Sequence, residues 1–240
     1  MYSSKTKILL LVLLLCFIDF KTKAQTGETK SRTKLGLCLS GGGAKGLAHI
    51  GILKVFDELG VKPDYITGTS MGSIVGALYA MGYSADSIEK IARSADWPML
   101  LSNRVPFDRI TAEEKDESGK YIAEIPYKKF KLTPPAGVIE GQAIIEFLTR
   151  LSLPVYCIDS FSRFNIPFLC IGADIVTGEA VQLKGGFLPD ALRASMSIPT
   201  VFSPVKVNNR LLVDGGLINN FPVKDLKEMG AEIVIGSYTG

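Results

Sequence analysis

Two short apolar runs, each ending in a glycine-bearing turn and each followed by a helical pattern, restrict the architecture open to this chain. Leu35 to Leu39 runs into Ser40-Gly41-Gly42-Gly43-Ala44-Lys45-Gly46, and Asp64 to Thr69 runs into Gly68-Thr69-Ser70-Met71-Gly72. After the first turn Ile52, Val55, Phe56 and Leu59 recur at helical spacing and Gly60 follows, which predicts a helix packed through that stripe. After the second, Met71 to Met81 predicts another helix, stopped by Gly82. Strand, turn and helix repeated in this order predict a three-layer α/β/α fold with a mainly parallel central sheet. The loops of such a sheet gather at the carboxyl ends of its strands.

The rest of the chain extends the pattern. Ser84 to Arg93 reads as a capped amphipathic helix, Gln142 to Leu151 as a helix, Pro167 to Ala173 as a strand, and Leu188 to Met196 as a helix ended by Ile198-Pro199. Val205 to Val207 and Arg210 to Val213 flank Asn208-Asn209, a hairpin signal. Pro222, Gly230 and Ile233 to Ile235 mark one further helix and strand. Trp97 to Gly137, rich in proline and charge and without a clean period, reads as a cap over the site, with Trp97, Met99, Leu100 and Leu101 packing it or touching a bilayer. With 240 residues, 47% of them hydrophobic, the chain suits one large domain from 34 to 240. A last strand of this kind is usually covered by a helix, so the native polypeptide is expected to continue past Gly240.

The amino end reads as a separate segment. Lys5 and Lys7 precede the apolar run Ile8 to Ile18, and Thr22-Lys23-Ala24-Gln25 offers small residues for cleavage. Eleven apolar residues fall short of the ~20 that span a bilayer, so residues 1–25 predict a cleavable signal peptide and an exported protein. Residues 26–33 are polar and read as a flexible leader. Cleavage removes four lysines and Asp19, so 27 basic and 24 acidic residues become 23 of each. No basic patch interleaved with aromatics remains, and nucleic acid is not an expected partner. The same cleavage removes Cys16, and Cys38, Cys157 and Cys170, odd in number and unclustered, read as buried free thiols without metal or disulfide roles.

Each turn admits two readings. Gly41 to Gly46 matches G-x-G-x-x-G between a strand and a helix, the context of a dinucleotide site. That site calls for an acidic residue at the end of the second strand, whereas Asp64 stands at its start. Backbone amides at a helix start hold an oxyanion as readily as a phosphate. Gly68-x-Ser70-x-Gly72 matches the sharp strand-to-helix turn that lifts a nucleophile into a cleft, and equally an ordinary turn with Ser70 as N-cap. The alternatives to an enzyme on these turns are a dinucleotide-binding oxidoreductase and a catalytically silent lipid-binding or assembly domain.

A nucleophilic serine needs a base, and the chain's one histidine, His49, lies upstream of Ser70 on a face shared with Ile52, Leu53 and Phe56. It reads as packing. Asp214, before Gly215 and Gly216, is the alternative: Leu217 and Ile218 are too short a run for a partner strand, which weakens the reading of Asp-Gly as a hairpin turn. Such a carboxylate acts as base where burial strengthens it.

Gly41-Gly42-Gly43-Ala44-Lys45-Gly46, Gly68-Thr69-Ser70-Met71-Gly72 and Asp214-Gly215-Gly216, in this order, resemble the three signatures of the patatin-like phospholipase family. Ala191 to Pro199 and Asn219-Asn220-Phe221-Pro222 resemble it too, over about residues 34 to 236. The resemblance implies a Ser-Asp dyad of Ser70 and Asp214, an oxyanion hole of Gly42, Gly43 and Ala44, no cofactor, and a membrane phospholipid or other acyl ester as substrate. Lys45 stands where the family often has arginine. Several exported relatives join this domain to an outer-membrane barrel, so a barrel beyond residue 240 and an outer-membrane, periplasmic or secreted location are expectations of the same kind.

Overall fold

The computed structural model describes residues 32–103, 127–128, 131–132 and 137–240. The expected signal peptide, the leader up to residue 31 and much of the cap stretch lie outside the described residues. From Thr33 onward the chain makes one structural unit.

Chain order begins with β1 (Leu35–Leu39), a 3₁₀ turn (Gly43–Ala48), α1 (His49–Glu58), β2 (Tyr65–Thr69), α2 (Met71–Met81), α3 (Ala85–Ser94) and α4 (Trp97–Leu100). The short strands β3 (Tyr127–Lys128), β4 (Lys131–Leu132) and β5 (Gly137–Ile139), then α5 (Gln142–Leu151), lead to β6 (Phe168–Asp174) and β7 (Ala180–Leu183). The chain continues with α6 (Leu188–Ser195), β8 (Thr200–Phe202), β9 (Val205–Val207), β10 (Arg210–Asp214), α7 (Val223–Glu228) and β11 (Ile233–Ser237).

Strands β11, β1, β2 and β6 form a parallel core, to which β7, β10 and β9 add antiparallel. Alternation along β1 sets the layers: Leu37 and Leu39 face the core built with Leu53 and Phe56 of α1, while Cys38 faces Leu226 of α7. All eleven residues of α2 are buried, as its sequence of small and apolar residues requires. Gly72 lets it approach the sheet, since a methyl there would overlap the Leu39 and Ser40 carbonyls.

The register of β6 explains how the site closes. β7 pairs with Cys170 to Ala173, overlapping both the β2 pairing (Phe168 to Ile171) and the β10 pairing (Gly172 to Asp174). A strand has two edges, so β2 and β10 must share the edge opposite β7. They meet there head to head: Thr69, the last residue of β2, stands opposite Ile171, and Asp214, the last of β10, opposite Gly172.

The helix α1 is present, but its core face differs from the expected stripe. Leu53 and Phe56 are buried, whereas Ile52, Val55 and Leu59 are exposed by 36%, 48% and 70%. The segment is apolar on most of its circumference, and its place over β1 and β2 decides which side turns inward. Its end follows expectation: with Gly60 at φ 64°, Val61 N–H reaches Phe56 O and Gly60 N–H reaches Asp57 O. The Asn208-Asn209 hairpin joins β9 to β10 with both asparagines at positive φ, 48° and 64°. Of the described thiols, Cys38 and Cys170 are buried as expected, whereas Cys157 is exposed, outside the apolar strands that bury the other two.

Candidate active site

Ser70 occupies the one-residue joint between β2 and α2, at φ 52° and ψ −125°. A non-glycine residue held at such angles costs on the order of 1–3 kcal/mol, and several contacts hold it. Its N–H donates to Ser195 Oγ at 3.0 Å, and Ser195 Oγ donates to Ile171 O at 2.6 Å. Its carbonyl accepts from the Ser73 N–H at 2.9 Å and the Ser73 hydroxyl at 2.6 Å. Gly68 makes the turn possible, because a methyl there would run into the Gly72 carbonyl and Ser73.

The Ser70 hydroxyl donates to Asp214 Oδ2 at 2.7 Å across 144 positions of sequence. Both residues are nearly enclosed, 6% and 7% exposed. Asp214 is held in turn: its N–H donates to Ser197 O at 2.8 Å, and its Oδ1 accepts the Gly216 N–H at 2.7 Å. Gly215 crosses so close over β6 that a methyl would strike the Ile171 carbonyl. Burial pushes the Asp214 carboxyl above the usual carboxylate range, opposed by the bonds from Gly216 and Ser70. The start of α2, with its partial positive charge, lies at Ser70 and favours negative charge there.

The glycine loop runs beside this pair. Gly41 packs on Ser70, a methyl on it falling 3.1 Å from the Ser70 Cβ, and Gly46 packs on Met71. Gly41 is tied by its N–H to Asn220 O at 3.2 Å and by its carbonyl to Asn220 Nδ2 at 3.4 Å. Gly43 takes φ 54°, and Gly43, Ala44 and Lys45 face solvent. The Gly42, Gly43 and Ala44 N–H groups meet no acceptor among the described residues, so they remain free to receive one from outside.

His49 is fully buried with both ring nitrogens engaged, Nδ1 with Ser237 Oγ and Nε2 with Ser40 O, each at 2.8 Å. Neither nitrogen is bonded to Ser70, so the ring is not placed as its base. Asp64 stands before β2 at the end opposite the glycine loop, accepting the Leu35 N–H at 2.9 Å and pairing with Lys34 at 3.0 Å. An acidic group for a dinucleotide ribose is thus missing where the fold would need it, and Ser70 follows the end of the strand instead. Trp97 is half-buried, its indole N–H bonded to Ala92 O at 2.9 Å and its ring edge-on to Phe147. Among the described residues no three His, Cys, Asp or Glu side chains cluster as a metal site.

Three supporting residues escaped the reading of the sequence. Ser195 fixes the Ser70 backbone. Arg193, 2% exposed, donates to Ser197 Oγ at 2.5 Å, to Glu140 O at 2.9 Å and to Ser203 O at 3.3 Å, and lies 4.6 Å over the Phe202 ring. It braces the loop whose Ser197 carbonyl holds Asp214. Asp225 receives Asn219 Nδ2 at 2.7 Å and secures the Asn219-Asn220 strap. Only their place in or near the stretches resembling a known family marked the first two and the strap, since a buried serine or arginine carries no local signature.

An NTE family protein of Mycobacterium tuberculosis is 28% identical over 205 residues, covering 85% of this chain and 49% of its own. The lysophospholipase NTE1 of Kluyveromyces lactis is 31% identical over 219 residues, covering 89% of this chain and 13% of its own. This chain therefore spans about half the length of the mycobacterial relative. The crystal structure of VipD from Legionella pneumophila shares the fold, with a TM-score of 0.53 at 16% identity over 85% of this chain and 49% of that one. The family model for patatin-like phospholipase matches residues 37–227, and with that span, this sheet and these three motifs the chain belongs to the patatin-like phospholipase family.

Proposed function

We propose that this chain is a serine acyl-ester hydrolase acting on lipids, a phospholipase or lipid acyl hydrolase, with Ser70 as nucleophile and Asp214 as its base. One observation carries the reading: the buried 2.7 Å bond from the Ser70 hydroxyl to a carboxylate whose proton affinity burial has raised. Asp214 Oδ2 takes the Ser70 proton as Oγ bonds to the ester carbonyl carbon and the π pair moves onto oxygen. The N–H groups of Gly42, Gly43 and Ala44 receive that oxyanion, each such donor being worth about 2.7–4 kcal/mol of barrier. Collapse breaks the bond to the alcohol, which leaves with the proton from Asp214. Water then gives a proton to Asp214 and attacks the acyl-serine; the fatty acid departs and the proton returns to Ser70. These steps call for no metal or organic cofactor.

Two features support a lipid as the ester. Ile198, Val201, Leu217 and Ile218 are exposed by 44%, 40%, 60% and 52% and follow within a few residues Ser197 and Gly216, the two residues bonded to Asp214 through its backbone N–H and Oδ1, an apolar surround suited to an acyl chain. The yeast relative bears the name lysophospholipase. Export is part of the proposal and rests on residues 1–25 alone. The test is fatty-acid release from phospholipid vesicles: the wild-type protein releases it and Ser70→Ala does not. Equal release by both would end the reading.

A further inference from the structure

The mechanism above leaves the chain's one histidine unused, yet His49 is fully enclosed and bonded at both ring nitrogens. Its partners fix its state. Ser40 O can only accept, so Nε2 carries the proton, and Nδ1 is left to accept the Ser237 hydroxyl proton. Burial holds the imidazole below the usual histidine range, with the Ser40 bond opposing, in keeping with a neutral ring.

One bond reaches backbone at the entrance of the glycine loop, and the other reaches the Ser237 side chain at the end of β11. Ser40 precedes Gly41 and His49 follows Ala48, so the Nε2–H bond joins two residues nine positions apart and closes the loop between them. Ser40 also receives the Thr239 N–H on its Oγ at 2.9 Å and sends its own N–H to Ser237 O at 3.0 Å. The outer side of the loop, Gly43, Ala44 and Lys45, is exposed, and glycine backbone is costly to order.

We infer that His49 is a positioning residue for the proposed hydrolase: its imidazole ties the exit of the glycine loop to its entrance and to the end of β11. The Gly42, Gly43 and Ala44 N–H groups are thereby held where the oxyanion forms. The inference rests on the catalytic reading of Ser70. It differs from simple packing, which a side chain of similar volume without nitrogen atoms would satisfy.

The test uses the full chain carrying His49→Phe or His49→Gln, with kcat and KM on a soluble short-chain acyl ester and the thermal midpoint of each variant. His49→Phe loses about 100-fold in kcat with KM within about twofold, the mark of an interaction expressed in the transition state. His49→Gln, whose amide N–H reaches Ser40 O, stays within about tenfold of wild type, as restored geometry requires. Wild-type kcat in a folded His49→Phe protein overturns the inference; if Ser70→Ala loses turnover in the same assay, the catalytic reading stands without it. Turnover surviving in Ser70→Ala sinks the catalytic reading instead. Should His49→Phe not fold, the wild-type imidazole decides: as the one histidine it gives a single set of ring ¹⁵N signals, and an Nδ1–H tautomer contradicts the clamp.

Discussion

Asp214 as a base must overcome the weakness of an ordinary aspartate, whose pKa near ~3.9 leaves little affinity for a serine proton. Burial corrects this in the right direction, and the sign has two consequences. With Asp214 as the proposed base, activity requires the carboxylate, and kcat/KM is expected to fall on the acid side with a midpoint above the usual carboxylate range. Stability runs the other way: the contribution of Asp214 is fully present below its unfolded pKa and is lost as pH rises through the raised folded value. Asp214→Asn is therefore expected to lose about 10²–10⁴-fold in kcat. Its thermal midpoint at neutral pH should equal or exceed that of wild type. A pH series of turnover and melting on both proteins checks this. A variant that loses activity only because it unfolds would contradict the assignment.

At the scale of elements, the site exists because β2 and β10 end against each other on one edge of β6. Gly215 carries the chain off that edge over the Ile171 carbonyl, where a side chain has no room. Gly215→Ala is expected to cost about 1–3 kcal/mol of stability through overpacking, measured by denaturant unfolding, and to lower turnover by pulling Asp214 from Ser70. What the sequence disclosed here was local. Asn208-Asn209 specifies its turn by tolerating positive φ, and Gly68, Ser70 and Gly72 specify theirs by size. The core face of α1 stayed hidden because apolar residues surround most of that helix. The shared edge of β6 stayed hidden because strand order is fixed by contacts distant in sequence, and β7 and the short β5–β8 pair gave no period to read.

For the molecule as a whole, three motifs spread from Gly41 to Gly216 converge on one end of one sheet, and that convergence was legible only in their order. Single motifs left oxidoreductase and binding domain open; Asp64 at the far end of β2 speaks against the first, and the bond from Ser70 to Asp214 is what the proposed hydrolase reading rests on. The brace of Arg193, Ser195 and Asp225 carried no local signature, since its bonds run to backbone and side chains that are set only once the chain folds. The most direct test of the central claim is covalent labelling with a fluorophosphonate, followed by peptide mapping and circular dichroism. The account predicts an adduct on Ser70, none in Ser70→Ala, and labelling slowed about 100-fold or more in a folded Asp214→Asn protein. Labelling of Asp214→Asn at the wild-type rate, or an adduct elsewhere with Ser70 untouched, would contradict it.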